Sequence, residues 1–235
     1  MISVIAFDGD DTLWHNERIF SMTQQKFRDL LSVYVEGERL DERLAAIELH
    51  NLGVFGYGIK GFVLSMIETA IDVSEGQVPA SIVQALIDFG KEMLRHPVEL
   101  LDGVDETVRR LALRHRLILI TKGDLFDQES KVARSGLADL FWKIEIVSEK
   151  DERTYARLLE EHDIDPAQFI MVGNSIKSDI LPVVRIGARA VHVPYEMTWV
   201  HERAELDPEA ATRVWTLESV RDLPPLIARL SRRAV

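Results

Sequence analysis

The sequence contains no cysteine, which excludes disulfides, zinc-thiolate sites, iron-sulfur clusters and cysteine nucleophiles. It is also short of positive charge, with 28 Lys and Arg against 39 Asp and Glu and a formal net charge of −11. Nucleic-acid binding depends on Lys and Arg neutralising phosphates, so no nucleic-acid partner is expected. No stretch approaches the ~18 consecutive apolar residues of a membrane span, and no membrane association is expected. The start, Met1-Ile2-Ser3-Val4-Ile5-Ala6-Phe7-Asp8, has no basic lead and meets a carboxylate after a short apolar run. It does not read as a signal peptide, and the chain reads as cytoplasmic. Internal repeats, low-complexity tracts and Pro/Gly/Ser linkers are missing as well. What is present is carboxylate, histidine, lysine and hydroxyl chemistry on 235 residues, 46% hydrophobic and 29% charged. Such a composition folds by itself, and such a length buries roughly 70 to 75% of its unfolded surface.

Short β-branched and apolar runs recur at Ile2–Phe7, Leu117–Thr121, Ile144–Val147, Phe169–Val172, Ala190–Val193 and Val214–Leu217. Each is too short for a helix and nearly continuous, the pattern of strands buried on both faces of a parallel sheet. Helical patterns lie between most of them: Val104, Val108 and Leu111 before the second, Tyr155, Leu158 and Leu159 before the fourth, Ile180, Val183, Val184 and Ile186 before the fifth. The alternation predicts an α/β fold with a doubly wound parallel sheet. From Asn16 to His96 no strand pattern occurs. Phe20, Phe27, Leu30, Leu31 and Tyr34 share one helical face, Phe62, Val63, Met66, Ile67 and Ala70 another, and Ile82, Leu86, Phe89 and Met93 a third. With a weaker helix over Leu40–Leu49, this predicts a small bundle of about four helices. The chain thus divides into a sheet core, 1–15 and 97–235, and a helical insertion, 16–96. A glycine-rich loop, Asn51–Gly61, is expected between the second and third helices. Its Phe55, Tyr57 and Lys60 are candidates for substrate contact, with bundle packing as the alternative for the aromatics and a solvated charge for Lys60.

The strongest chemical signal follows the first strand, at Asp8-Gly9-Asp10-Asp11-Thr12. Ligands of open α/β sheets bind beyond the carboxyl ends of the strands, where Asp8 and Asp10 stand. Two carboxylates one residue apart repel unless something positive holds them. Mg²⁺ takes oxygen ligands and keeps positions for water and a phosphate oxygen. The plain alternative is a polar turn, since Asp and Gly are common turn residues. Three more strand ends carry polar groups. One run ends in Thr121-Lys122-Gly123, offering a hydroxyl and backbone N–H groups to an anion; a second leads to Ser148-Glu149-Lys150; a third enters Gly173-Asn174-Ser175-Ile176-Lys177-Ser178-Asp179, whose Asn and Asp can reach a metal. Singly, each has a plain alternative: Thr121 a strand-end residue, Lys122 and Lys150 solvated lysines, Asp179 a helix cap.

Together and in this order, these residues resemble the four motifs of the haloacid dehalogenase-like (HAD) hydrolase superfamily. The similarity spans residue 1 to about 195, and the helical insertion sits where that family carries its C1-type cap. The resemblance implies an Mg²⁺-dependent phosphatase acting on a small phosphorylated metabolite through an aspartyl-phosphate. Asp8 would be the nucleophile and Asp10 the general acid and then base. Thr121 and Lys150 would hold the phosphoryl oxygens, helped by the backbone N–H groups of Gly9, Asp10 and Lys122. Asp8, the Asp10 carbonyl and Asp179 would bind Mg²⁺. A carboxylate nucleophile splits a very slow hydrolysis into two easier displacements, and phosphoryl transfer is mainly positioning and charge stabilisation. A raised pKa would suit Asp10; Asp8 and Asp11 push it up and a metal pulls it down, a balance the sequence leaves open.

Two positions depart from the family pattern. Asn174 stands where many relatives have an acidic residue, so it is either a ligand or an orienter of metal-bound water, and weaker metal affinity is expected. Gly9 replaces a larger apolar residue and contributes backbone, permitting close approach. Asp10 separates activities, because dehalogenases of this family generally lack an aspartate two residues after the nucleophile: no leaving oxygen needs a proton. The alternatives are a sugar-phosphate mutase, a dehalogenase, a phosphonate hydrolase using a lysine such as Lys60, or a catalytically weak phosphate-binding HAD-like protein. A response-regulator receiver domain also combines such residues but is much shorter and lacks the insertion. Tyr195–Glu202 is a candidate lining segment; within it His201 and Glu202 are read as surface or interdomain residues, with metal ligation as the alternative, and Trp199 has no assigned role. Trp14-His15-Asn16 is expected to form the hinge into the insertion, with His15 near substrate. Substrate identity and oligomeric state are not legible.

Overall fold

The computed structural model describes residues 2–197, 199, 202, 204, 206, 208 and 210–232. Among these, six parallel strands form one sheet in the order β3-β2-β1-β4-β5-β6. The strands are β1 (Val4–Phe7), β2 (Arg116–Lys122), β3 (Lys143–Val147), β4 (Phe169–Gly173), β5 (Arg189–His192) and β6 (Val214–Thr216). Each coincides with an apolar run of the sequence to within about two residues. The helices are α1 (Glu17–Leu31), α2 (Gly37–Phe55), α3 (Ile59–Val73), α4 (Ala80–Arg95), α5 (Val104–Ala112), α6 (Leu125–Ser135), α7 (Glu152–Glu161), α8 (Leu181–Arg185) and α9 (Leu223–Arg232). No helix among the described residues is long and apolar enough to cross a membrane.

The chain separates into two compact units. One contains the residues up to Glu17, Val98–Lys122 and the chain from Gln128 onward; the other contains Arg18–Pro97 and Gly123–Asp127. In the sheet unit, β1 and β4 are central and buried throughout. Alternate side chains face opposite layers. Ile5 and Phe7 pack with Val104, Val108, Leu223 and Leu226, while Val4 and Ala6 pack with Tyr155, Leu158 and Val183. That two-sided burial is why the strands read as continuous apolar runs. β3 departs from the expectation: it is an edge strand, and Lys143 and Ile144 are exposed. An edge strand is covered less, and apolar content does not encode strand order. Phe7 lies opposite Leu119 of β2 and Val172 of β4, so Asp8 emerges between two neighbouring strand ends.

The helical unit buries Phe27 and Leu31 of α1, Leu40 and Leu44 of α2, Phe62, Met66 and Ala70 of α3, and Leu86 and Met93 of α4 in one core. Tyr34 does not extend the α1 face; the helix ends at Leu31 and Tyr34 is exposed. The expected loop Asn51–Gly61 is also corrected. Asn51–Phe55 forms the end of α2, and Lys60 lies in the first turn of α3, leaving Gly56–Gly58 as the connection. Asn51 is buried and donates to Ser65 Oγ at 3.2 Å and to Glu68 at 2.8 Å on α3, which holds the last turns of α2 in helix across Gly53. Gly123–Asp127 groups with these helices, and Lys60 pairs there with Asp124 at 2.9 Å.

Candidate active site

The loop after β1 is tight. The N–H groups of Thr12 and Leu13 both point to the Gly9 carbonyl, at 3.3 and 2.8 Å. A Cβ on Gly9 would lie 2.7 Å from the Trp14 ring and 3.3 Å from Thr121 Oγ1, so a larger residue does not fit. Asp11 has φ 62°, in the left-handed region that Asp tolerates better than most residues. Its carboxylate accepts from the N–H groups of Asn16 at 2.8 Å and Glu17 at 3.0 Å, where α1 begins. Burial pushes the Asp11 carboxyl up to about 8, against the pull of those backbone bonds. Burial likewise pushes Glu17 up to about 7, with the Asp10 charge adding to it.

Asp8 is buried, with Oδ1 2.5 Å from Lys150 Nζ and Oδ2 accepting from the Thr12 hydroxyl at 3.0 Å. The same Lys150 Nζ lies 2.7 Å from Asp179 Oδ1, and Asp179 Oδ2 accepts from the Ser175 N–H at 3.0 Å. One ammonium from the loop after β3 therefore stands between a carboxylate after β1 and another after β4. Desolvation raises the Asp8 carboxyl to about 7, with Lys150 pulling down and Asp179 pushing up. For Lys150, burial disfavours the charge, yet Asp179 and Asp8 hold its pKa well above the usual lysine range. Asp179 reaches this position on a π-helical turn, Ile176–Ile180, an element frequent at functional sites. A Cβ on Gly173 would lie 2.2 Å from Asp179 Oδ2, so glycine is required beneath that carboxylate.

Asp10 has a different environment. Oδ1 accepts from Trp14 Nε1 at 2.6 Å, Oδ2 from Gln128 Nε2 at 2.9 Å, and Lys131 Nζ lies 3.1 and 3.0 Å from the two oxygens. Thr121, buried at the end of β2, donates to Gln128 Oε1 at 3.1 Å. Gln128 and Lys131 are not singled out by the sequence, because they sit on α6 with no strand-end position and no glycine beside them. Trp14, the first residue of the segment expected to lead into the insertion, is a core residue of the sheet unit and bonds Asp10.

The remaining candidates fall around this centre or elsewhere. Lys122 is not a solvated lysine: its Nζ lies 2.6 Å from Glu202, 2.9 Å from Ser178 Oγ and 3.3 Å from Glu149. Glu202 also accepts from Ser175 Oγ and Ser178 Oγ, both at 2.5 Å. Burial raises the Glu202 carboxyl, but Lys122 and the two hydroxyls outweigh it and leave the pKa below the usual glutamate value. His15 Nδ1 lies 2.7 Å from the Tyr195 hydroxyl. His201 lies outside the described residues. In the helical unit Phe55 is exposed at the end of α2, which removes the buried aromatic pair as an explanation, Tyr57 is half-buried, and exposed Lys60 pairs with Asp124.

A family model described as haloacid dehalogenase-like hydrolase matches residues 2–187. The chain belongs to the haloacid dehalogenase-like hydrolases. A HAD-like family hydrolase from Xanthomonas campestris is 41% identical, with a TM-score of 0.88 over 99% of this chain and 93% of that one. A 2-haloacid dehalogenase from Pseudomonas syringae pv. Tomato is 23% identical, with a TM-score of 0.63 over 97% and 99%. A HAD-hydrolase from Bacillus subtilis bound to magnesium is 14% identical, with a TM-score of 0.68 over 96% and 98%. The last two share the fold. No curated protein matches the chain.

Among the described residues no group of three or more His, Asp or Glu converges as a metal cluster would, but oxygens of the kind a hard cation takes do meet at Thr12. Thr12 Oγ1 lies 3.0 Å from Asp8 Oδ2 and 3.2 Å from Asn174 Oδ1. A hydroxyl has one proton to donate, so two acceptor oxygens converge on a single donor. An all-oxygen set of this kind is the donor chemistry that Mg²⁺ prefers. Asp179, by contrast, has both oxygens engaged by Lys150 and the Ser175 N–H. Chemically, the arrangement presents a buried carboxylate with a cation beside it, and a second carboxylate two residues on.

Proposed function

We propose that this HAD hydrolase is a cytoplasmic phosphatase that hydrolyses a small phosphorylated metabolite through an aspartyl-phosphate at Asp8, with Mg²⁺ as cofactor and the helical unit as its cap. The observation that carries this reading is Asp10, a carboxylate held in a defined orientation two residues after the nucleophile. A leaving alkoxide needs a proton, whereas a leaving halide does not. An Asp8 oxygen attacks phosphorus as the bond to the leaving oxygen breaks, and Asp10 delivers the proton to that oxygen. Asp10 then takes a proton from water, whose oxygen attacks the same phosphorus, releasing inorganic phosphate and regenerating Asp8. Lys150 and the N–H groups of Gly9, Asp10 and Lys122 hold the phosphoryl oxygens, joined by the Thr121 hydroxyl once it turns its one proton from Gln128 to the substrate. Bound Mg²⁺, held by Asp8, the Asp10 carbonyl and Asp179, with Asn174 as a further oxygen, would supply positive charge to the phosphoryl group.

The test is hydrolysis of p-nitrophenyl phosphate with Mg²⁺ and with EDTA. Turnover that EDTA abolishes is expected; absence of any metal-dependent turnover would sink the reading. A dehalogenase is the second reading: a 2-haloacid dehalogenase shares the fold, and the Asp8 carboxylate held by Lys150 and Thr12 could attack carbon as well as phosphorus. Chloride release from 2-chloropropionate without phosphate-ester hydrolysis would put it first.

A further inference from the structure

Asp10 carries the proton in the proposed reaction, yet nothing in the loop backbone fixes the torsions of its side chain. The structure fixes them from α6. With Trp14, Gln128 and Lys131 together, each Asp10 oxygen receives two donors, at 2.6 and 3.1 Å on Oδ1 and at 2.9 and 3.0 Å on Oδ2. Those four contacts match the acceptor capacity of a carboxylate, so one of them gives way when Asp10 takes up the proton while the others keep its torsions. Gln128 and Lys131 are three residues apart, on one helical face, and both are buried. Helix-to-sheet packing is met by an apolar side chain, as by Val132 next to them in the core. Burying an amide and an ammonium costs desolvation that only specific partners offset. Here the partners belong to the reaction. Gln128 spans the Asp10 carboxylate and the Thr121 hydroxyl, so one side chain relates the proton-transfer group to a phosphoryl-holding group. Lys131 adds a 2.8 Å bond to Asn16 Oδ1, tying the far end of the nucleophile loop to the same ammonium.

We infer that Lys131, with Gln128 beside it, is a positioning residue that orients Asp10 for proton transfer to the leaving oxygen; the inference rests on reading Asp10 as the acid of a phosphatase. The effect of losing Lys131 then depends on how much the leaving group needs a proton. Phenyl phosphate and p-nitrophenyl phosphate have similar shapes, but phenolate, with a conjugate acid like that of tyrosine at about 10, leaves poorly unprotonated. The nitrophenolate leaves well without a proton. Replacing Lys131→Met keeps the length and removes the ammonium.

The experiment compares kcat/KM of the full-length protein on both esters with Mg²⁺. Lys131→Met should lose on the order of 100-fold on phenyl phosphate and only about threefold on p-nitrophenyl phosphate, and Lys131→Arg should recover most of the loss. Lys131→Gln replaces the Met variant if that one does not fold. Equal losses on the two esters, or no loss on either, would overturn the role of Lys131 while leaving the phosphatase reading in place. A wild-type protein inert toward both esters would remove both conclusions.

Discussion

Both units of this hydrolase carry exposed ion pairs, but among the described residues only the sheet unit also buries them. In the helical unit the ion pairs are on the surface: the side chains of Lys26 and Glu92 are 50% and 62% exposed, and those of Lys91 and Asp88 are similarly open. In the sheet unit the side chains of Lys150 and Asp179 are 2% and 1% exposed, and Asp8, Asp11 and Lys131 are buried beside them. Exposed pairs contribute about 0 to 1 kcal/mol, because water screens them and ordering the side chains costs entropy. Buried pairs carry desolvation penalties that often exceed what they return in stability. So many buried ionisable groups around one loop make it the candidate site, whereas the exposed pairs mark a solvated surface.

The largest effect that tests this contrast is on turnover. Asp8→Asn should lower kcat on p-nitrophenyl phosphate by on the order of 10⁴ or more while the circular dichroism spectrum stays native, since Lys150 keeps Asp179 as its partner. Retained activity would remove Asp8 as nucleophile. Next is Lys150→Met, which leaves two buried carboxylates facing each other without a cation. A loss of about 3 to 5 kcal/mol in urea unfolding near neutral pH is expected. A loss below about 1 kcal/mol would erase the contrast with the helical unit.

Asp11→Asn acts through pH. The carboxyl is raised from 3.8 to about 8 on folding, so between those values the native chain holds a proton that the unfolded chain has released. Stability from this group therefore falls as pH rises through that window. Asn keeps an oxygen for the Asn16 and Glu17 N–H groups and carries no charge. Relative to wild type, the variant should gain roughly 3 to 4 kcal/mol between pH 5 and pH 8. Parallel pH curves for the two proteins would count against a buried Asp11. The smallest effect is Lys26→Met, which removes an exposed pair and should change stability by about 0.5 kcal/mol or less, a degree or two in Tm.

Much of the fold was legible because the physics was local. The runs ending at Phe7, Thr121, Val147 and Val172 are apolar along their length, and each became a strand. The edge position of β3 was not legible, because Ile144 reads the same whether or not a further strand lies beside it. The span of α2 was missed because Gly53 and Gly56 look like a loop, and Asn51 looks like a turn residue, until Ser65 and Glu68 are brought opposite it. In the site, Asp8, Asp10, Lys150 and Asp179 each follow a strand and Thr121 lies at the end of one, positions the sequence displays. Gln128 and Lys131 are ordinary polar residues of an amphipathic helix, and nothing near them in the chain announces their partner 118 or 121 residues away.

By itself the sequence determined the alternation of strands and helices, the helical stretch interrupting it, and the acidic loop after the first strand, because these rest on side-chain periodicity and residue type within a few positions. Only the tertiary structure decided which charges meet. Lys150 between Asp8 and Asp179, the glycine-only space under Asp179, and the three donors gathered on Asp10 depend on strand order and on how α6 packs against the sheet. Burial then sets the strength of those contacts, since a charge removed from water is governed by the few groups that touch it, and those groups come from distant parts of the chain.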